Sequence, residues 1–254
     1  MVSGYRDSIK SGKEKKMYEL QKKYEAKICE LVNACHRVAE LNYVASSGGN
    51  LSYRVDDNVM LITPTKTYKR KVGFEDICII DLDGNVLYAS DGKKPTGEWP
   101  FHTRIMQKRK DVKAIVHAHP PVLTGFAIAG DNMLHQAFLP EMLIEIGPLV
   151  TVKYATPLSQ ELSDEFEHVI NQSNGFLMEN HGAAFLSPNS IEDAVELLEM
   201  SECMAISVLT AKILGNAKPL NEEHIRGMDE VLKVRNLRLP GNRKENKSVY
   251  DLYK

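Results

Sequence analysis

Hydrophobic positions follow two patterns along this chain, a helical spacing in some segments and short continuous runs in others. The spacing over Met17–Leu41 predicts a long amphipathic helix, and Ile191–Leu214 predicts a second whose apolar stripe suits a core or an oligomer interface. Shorter helices are predicted after Thr96, which could cap a helix running to about Lys108, and over Pro121–Ala129, Glu161–Ile170 and Glu222–Lys233.

Short apolar runs bounded by turn residues predict strands between these helices. They cover Leu51–Val55, Val59–Thr63, Ile77–Leu82, Val86–Tyr88, Lys113–Val116, Glu141–Ile146, Leu149–Tyr154 and Gly175–Met178. The turns Asp56-Asp57-Asn58 and Asp83-Gly84-Asn85 predict two hairpins among the first four strands. The length of 254 residues fits one large domain or two small ones, and no repeat and no linker clearly divides the chain.

The amino-acid composition limits the possible classes of protein but does not indicate a reaction. The 254 residues are 43% hydrophobic and 26% charged, as in ordinary globular proteins, and the net charge of −2 argues against a general nucleic-acid binder. No apolar run suggests a membrane span and no signal-peptide core is visible, so a cytoplasmic protein without membrane contact is expected. The cysteines lack a CxxC pair and are expected to be reduced thiols.

The two ends of the chain are more polar than its middle. Residues 1–16 predict a flexible, lysine-rich basic arm, which is either solvated or in contact with a neighbouring subunit or an acidic surface. Residues 240–254 predict a C-terminal tail, which leaves residues 17–239 as the folded domain.

Three histidines that follow apolar segments are candidate metal ligands. His117 and His119 stand two positions apart at the end of a predicted strand, so both imidazoles point to one face of extended chain. His181 also leaves the end of a strand, and Gly182 behind it permits a close approach. Neutral imidazoles suit Zn²⁺ or another divalent transition metal, although the pair could instead be partly buried and capped by the backbone.

Two loops rich in small and polar residues could bind an oxyanion. Gly48-Gly49-Asn50 and Thr63-Pro64-Thr65-Lys66 offer backbone N–H groups, side-chain donors and one positive charge. The alternative is that both are plain hairpin turns, and their spacing matches neither a Walker A nor a dinucleotide motif. Glu98 stands at a loop-to-helix junction, where an acid is electrostatically favourable, or from which it could reach the histidines as a base or ligand. His102 follows one helical turn later.

Five motifs occur in one particular order along the chain. They are Gly48-Gly49-Asn50-Leu51-Ser52, Ile62-Thr63-Pro64-Thr65, Pro95-Thr96-Gly97-Glu98-Trp99-Pro100-Phe101-His102, His117-Ala118-His119 and Asn180-His181-Gly182. In this order they resemble the class II aldolase/adducin family, and most closely its L-fuculose-1-phosphate aldolases, over roughly Leu31–Leu239. The resemblance implies a single α/β domain whose central, largely antiparallel sheet is sandwiched by helices, and a homotetramer with sites at subunit interfaces.

The resemblance also implies a chemistry. His117, His119 and His181 correspond to the protein ligands of a catalytic Zn²⁺, and Glu98 to an acid that ligates the resting metal and then acts as general acid/base. The residues that fall where the family binds the substrate phosphate are Gly49, Asn50, Thr65, Lys66, Thr96 and Gly97. The implied reaction is retro-aldol cleavage of a ketose 1-phosphate, such as L-fuculose 1-phosphate or a related deoxy-ketose phosphate, to dihydroxyacetone phosphate and an aldehyde.

The chain departs from the aldolase pattern at several positions. Lys66 stands where the aldolases have glycine, and Thr96-Gly97 where they have Ser-Ser. Phe138 and Arg235 fall near two tyrosines of the family, the first of which is its proton donor. Since phenylalanine cannot donate a proton, the donor stays open among His135, Glu141, Tyr250 and Tyr253.

The same fold carries other activities. One alternative is a 4-epimerase acting on L-ribulose 5-phosphate, in which the position of Glu98 holds aspartate. Another is a dehydratase acting on methylthioribulose 1-phosphate, which shares the zinc triad and a glutamate base. A third is a non-catalytic, adducin-like scaffold, which has no need of three histidines together with Glu98.

Overall fold

Eight strands form one continuous sheet at the centre of the computed structural model, which describes residues 19–254. Strands β1 to β8 cover Asn50–Asp56, Val59–Ile62, Cys78–Asp81, Val86–Tyr88, Ala114–Ala118, Val150–Val152, Gly175–Met178 and Gly182–Ser187. Their spatial order is β4-β3-β2-β1-β5-β8-β7-β6. The β6–β7 pair is parallel and all other pairs are antiparallel, so the expected α/β fold with a largely antiparallel central sheet is confirmed.

Helices cover both faces of the sheet. Helices α1 to α7 span Glu25–Glu40, Trp99–Lys108, Pro121–Ala129, Pro140–Glu145, Gln160–Val169, Ile191–Ile213 and Glu222–Arg235. Helices α2 and α5 pack on one face and the other five contribute to the core on the opposite face. Along β2, Leu61 packs into one core while Met60 and Ile62 pack into the other. Burial on both faces explains why the strands appear in the sequence as continuous apolar runs.

Two segments differ from the sequence-based expectation. The run Glu141–Ile146 was predicted to be a strand, but Pro140–Glu145 is helix α4. Its short apolar run fits either period, and proline at the first helical position favours a helix start. Strand β8 was not predicted, because its Ala183-Ala184 pair has weak strand propensity and only its central place in the sheet buries it.

The remaining elements agree with the expectation to within a few residues. Helix α1 begins at Glu25, and residues 19–23 before it are also helical. Val249 and Leu252 of the predicted C-terminal tail are buried, while the predicted basic arm lies outside the described residues. All four cysteines are free thiols. Within the described residues, no helix has both the length and the apolar character that a membrane crossing requires.

The three central strands bring the candidate residues together. Strand β5 lies between β1 and β8, and His117 on β5 is opposite Asn50 on one side and Ala184 on the other. The candidate metal ligands therefore lie at the centre of the sheet, at the end of β5 and in the β7–β8 turn.

Candidate active site

Three imidazoles converge at the end of strand β5. One nitrogen each from His117, His119 and His181 lies within 4.8 Å of the others, and the Nε2 atoms of His117 and His119 are 3.2 Å apart. Ligands held at about 2.0–2.1 Å around a tetrahedral Zn²⁺ are separated by about 3.4 Å, so this spacing fits a shared metal ion. The donor set, three imidazoles with one side left open, also fits a catalytic transition-metal site.

Hydrogen bonding prepares His117 as a ligand. Its Nδ1 atom lies 3.0 Å from the carbonyl oxygen of Ala183, which can only accept, so Nδ1 carries the proton and Nε2 keeps a free lone pair. Burial, reinforced by the neighbouring imidazoles, lowers the pKa of His117 well below its usual value. Burial likewise lowers the pKa of His119 to about 4. Both rings are therefore neutral near pH 7, as metal ligation requires.

Tight turns place these rings. His181 occupies a short turn between β7 and β8, where Asn180 adopts a left-handed conformation with φ of 51°. A Cβ atom on Gly182 would lie 2.5 Å from the carbonyl oxygen of Ala118 and from the ring of His119. Only a glycine fits there without a shift of its neighbours, as the spacing in the sequence suggested.

Glu98 lies against the imidazoles. It immediately precedes helix α2 and is 6% exposed. Its Oε2 atom is 3.5 Å from Nε2 of His117, and its Oε1 atom is 3.7 Å from Nε2 of His181. Thr96, expected to cap this helix, instead accepts a hydrogen bond from the backbone N–H of Glu98 at 3.3 Å, so Glu98 itself occupies the N-cap position.

A buried chain of hydrogen bonds leads to Glu98. The amide nitrogen of Asn50 donates to Oε2 of Glu98 at 2.6 Å, and the Asn50 amide oxygen accepts from Nε2 of His102 at 2.5 Å. The hydroxyl of Ser52 then donates to Nδ1 of His102 at 2.7 Å. Burial lowers the pKa of His102 to about 3, so this ring is neutral and has one donor and one acceptor. We call this chain of hydrogen bonds the Ser52–Glu98 relay. Each hydrogen-bond donor in it faces an acceptor.

The histidines and Glu98 lie at the base of a cleft of about 200 Å³. Of the predicted phosphate-binding residues, Gly49, Asn50, Thr65, Lys66 and Thr96 line this cleft. Gly97 is not among the lining residues, and a Cβ atom there would lie 2.9 Å from a methyl carbon of Leu158. Leu158 lines the cleft and adopts a left-handed φ of 68°, which is costly for a leucine.

The candidate proton donors lie elsewhere. Among the described residues, none of His135, Glu141, Tyr250 and Tyr253 lines the cleft of its own chain. Tyr250 donates to a carboxylate oxygen of Glu222 at 2.9 Å, and burial raises the pKa of Tyr253. Phe138 packs against the core. Within one chain, therefore, these side chains are not placed to serve a leaving group.

Several residues of the site were not singled out from the sequence. Ser52 stood out only as the last residue of the Gly48–Ser52 motif, with no role of its own. Leu158 carries no sequence signal beyond an ordinary loop position, and Lys69 stands in a basic run that suggests a solvated surface. Lys69 is nevertheless buried, 2% exposed, behind the loops that line the cleft. Only the packing of loops distant in sequence distinguishes it from its neighbours.

Comparison with known proteins assigns the family. Residues 29–208 match the model of the Class II Aldolase and Adducin N-terminal domain, so the chain belongs to this family. A protein named L-fuculose phosphate aldolase from Methanococcus maripaludis (strain C7 / ATCC BAA-1331) is 32% identical over 182 residues, which cover 72% of this chain and 96% of that protein. The expected relation to fuculose-phosphate aldolases is thus confirmed.

Two further relatives define the range of activities. A protein named 3-oxo-tetronate 4-phosphate decarboxylase from Haemophilus influenzae (strain ATCC 51907 / DSM 11121 / KW20 / Rd) is 30% identical over 166 residues, 64% of this chain and 78% of that protein. A solved structure named L-fuculose 1-phosphate aldolase superposes with a TM-score of 0.74 at 27% identity, covering 82% of this chain and 96% of the other. The family therefore includes both carbon–carbon cleavage by aldolases and decarboxylation.

Proposed function

We propose that the protein is a zinc-dependent lyase that cleaves a ketose 1-phosphate, L-fuculose 1-phosphate or a related deoxy-ketose phosphate, to dihydroxyacetone phosphate and an aldehyde. The observation that carries the proposal is the convergence of three imidazole nitrogens and the Glu98 carboxylate at the base of one polar cleft. Similarity to named fuculose-phosphate aldolases supports the same reaction class.

In this proposal His117, His119 and His181 hold the metal, and another divalent transition metal could replace zinc. When bound, the metal supplies Lewis acidity that stabilises the negative charge developing on the substrate as the carbon–carbon bond breaks. The protein's own contribution is an ordered set of neutral imidazoles, since protonated rings would repel the cation.

Glu98 is the proposed general acid/base. Asn50 donates a hydrogen bond to the Oε2 atom of Glu98, while Oε1 accepts no hydrogen bond from any side chain or backbone group within residues 19–254. The Oε1 atom is therefore the one available to exchange a proton with the nucleophilic carbon of the substrate. The loops containing Gly49 and Thr65, with Thr96 and Gly97 before α2, are proposed to bind the phosphate, whose charge is favoured near the N-terminus of a helix.

Decarboxylation of a 3-oxo acid phosphate is the second candidate. It is favoured because none of the four candidate donors for the aldehyde oxygen, His135, Glu141, Tyr250 and Tyr253, lines the cleft within the described residues. An aldolase must protonate or deprotonate the oxygen of the aldehyde fragment, whereas carbon dioxide leaves without a proton donor. Similarity to a named decarboxylase supports this alternative.

A homotetramer with sites at subunit interfaces would supply the missing donor from a neighbouring chain. Helix α6 exposes three apolar side chains, Ile206, Leu209 and Ile213, and Ile128 on α3 is also exposed. These side chains support an interface on this face. Light scattering coupled to size-exclusion chromatography tests the assembly. A monomer at micromolar concentration would contradict it.

Metal analysis combined with product analysis tests the reaction. Purified protein is expected to bind about one zinc per chain through three ligands, and to lose activity with a chelator. The substrate panel contains ketose 1-phosphates, L-ribulose 5-phosphate, methylthioribulose 1-phosphate and a 3-oxo acid phosphate. Release of dihydroxyacetone phosphate supports the aldolase, and release of carbon dioxide supports the decarboxylase. An epimer would indicate the 4-epimerase, and a dehydrated diketone would indicate the dehydratase. No metal binding and no product would contradict every enzymatic assignment.

A further inference from the structure

Lys69 is a buried lysine that forms no ion pair within residues 19–254. It is 2% exposed at the start of the short 3-10 helix Lys69–Lys71. Its ammonium forms no salt bridge with a carboxylate of residues 19–254. Burial lowers the pKa of Lys69, and the charge of Glu98 opposes this shift only in part. Buried ammonium groups are rare without a partner, because water solvates the charge better than protein does. The charge therefore calls for an explanation.

The ammonium lies directly behind the cleft. Its Nζ atom donates to the carbonyl oxygens of Ser47 and Thr67, each at 3.3 Å. Ser47 lines the cleft, and Thr67 follows the loop whose Thr65 and Lys66 also line it. Lys69 thus bridges the two glycine- and threonine-containing loops that form the polar wall, with two long hydrogen bonds in place of an ion pair.

We propose that Lys69 is the buried counter-charge of the substrate's phosphate group, an inference that rests on the phosphate-binding part of the proposed function. The phosphate would supply a negative charge for this ammonium, which forms no ion pair with a carboxylate of residues 19–254. A carboxylate of the protein paired directly with the Lys69 ammonium would cancel its positive field. An ammonium without such a pair therefore suits a site whose anion arrives with the ligand. A phosphate monoester, which carries nearly two charges near neutral pH, gains more from this field than a carboxylate does.

The exposed Lys66 is less suited to this role. It lines the cleft in a left-handed conformation with φ of 52°, but its side chain is exposed and solvated. An exposed lysine must lose side-chain freedom to bind an anion, and salt screens its charge. Lys69 is already held by two carbonyl groups in a region of low dielectric constant, so its charge is in place before the ligand binds.

The competing explanation is that Lys69 only ties the two loops together. The two explanations differ in what phosphate does. A structural bridge contributes the same stability with and without phosphate, whereas a counter-charge contributes mainly when the anion is bound. Replacing the buried ammonium by an apolar side chain should then reduce phosphate affinity and the stabilisation that phosphate confers, while the stability of the phosphate-free protein falls little or rises.

The test is Lys69→Met with Lys71→Met as the matched control, because Lys71 belongs to the same 3-10 helix but is exposed. Inorganic phosphate is titrated into each zinc-loaded protein by calorimetry, and Tm is recorded with and without phosphate. We expect Lys69→Met to weaken phosphate binding by about tenfold or more and Lys71→Met by less than about twofold. Unchanged phosphate affinity in Lys69→Met, or an equal loss of Tm with and without phosphate, overturns the proposal.

If Lys69→Met fails to fold, wild-type protein still decides the question. The side-chain NMR signal of Lys69 is identified by its loss in Lys69→Arg, and phosphate is expected to shift it. An unshifted Lys69 signal overturns the proposal. Neither measurement uses turnover, so phosphate binding through Lys69 without lyase activity would refute only the proposed reaction. Wild-type protein that does not bind phosphate would refute the counter-charge and leave open a lyase for unphosphorylated substrates.

Discussion

The amide nitrogen of Asn50 lies 2.6 Å from Oε2 of Glu98, and both side chains are buried. An ionised carboxylate only accepts hydrogen bonds, so this contact requires the Asn50 nitrogen to face Glu98 and its oxygen to face His102. Asn50, predicted from the sequence to bind phosphate, is therefore proposed to orient the candidate base through its side chain. The predictions below follow from this arrangement and from the backbone around it.

Replacement of Glu98 by glutamine should leave metal binding largely intact and lower kcat by about 10²–10⁴, the usual contribution of a general acid/base. The control is Glu202→Gln, a glutamate that is also buried but caps the start of α3 through the N–H groups of Val122 and Leu123. It should lose stability and keep activity. Steady-state kinetics with metal analysis checks both, and a fully active Glu98→Gln enzyme would show that another group transfers the proton.

Removing the His102 imidazole from the Ser52–Glu98 relay should slow the reaction without changing the phosphate contacts. We expect His102→Leu to lower kcat by about 10–100-fold, as for other groups that orient a ligand or base, with a smaller change in KM. His102→Gln, which can still donate to Asn50, should restore part of the rate.

Thr103→Val on the same helix controls for a lost buried hydrogen bond, since Thr103 donates to the carbonyl oxygen of Pro100 at 3.0 Å. It should cost about 1 kcal/mol of stability and leave kcat unchanged. Equal losses of kcat in His102→Leu and Thr103→Val would mean that the relay has only a structural role.

The metal-free protein should lose stability as the pH falls. Burial lowers the pKa of His102 to about 3 and that of His119 to about 4, whereas a histidine in an unfolded chain titrates near about 6.5. Between those values the unfolded state binds protons that the native state does not, so the free energy of unfolding decreases as pH falls below about 6.5. Above about pH 6.5 these groups contribute no pH dependence.

Each such histidine contributes at most about 1.4 kcal/mol per pH unit within that window. Urea denaturation between about pH 7.5 and about pH 5 measures the slope in wild type and in His102→Gln. The variant should show the shallower decrease, because one of the shifted groups is gone. Identical slopes would mean that His102 does not stay neutral in the folded protein.

Gly49 should resist substitution more than another glycine of similar backbone conformation. Its φ is 66°, and a Cβ atom would lie 2.7 Å from the carbonyl oxygen of His117 and from a methyl carbon of Val44. Gly92 has a φ of 74° with no atom within 4 Å. We expect Gly92→Ala to cost about 1–2 kcal/mol, the left-handed penalty alone, and Gly49→Ala clearly more. Chemical denaturation compares them, and equal costs would contradict the proposed close approach of this loop to β5.

Local patterns were sufficient for most of the fold. The helical spacing of Ile191–Leu214 and the apolar runs before His117 and His181 predicted α6, β5 and β7 because these periods belong to the elements themselves. Local patterns failed for Pro140–Glu145, whose six residues are too few to show a period. They also failed for β8, whose small residues are buried only by β5 and β7.

The sequence alone identified the family and singled out the three histidines and Glu98 as candidates, since these residues belong to motifs with recognisable order and spacing. Only the tertiary structure placed Ser52 and His102 on the path to Glu98, Leu158 over Gly97, and Lys69 behind the cleft. These contacts join segments about 20 to 60 residues apart in the chain, and the sheet order and loop packing bring them together. The burial of a lysine, or the contact of a leucine with a distant glycine, depends on what packs at that point, which no local pattern of residues specifies.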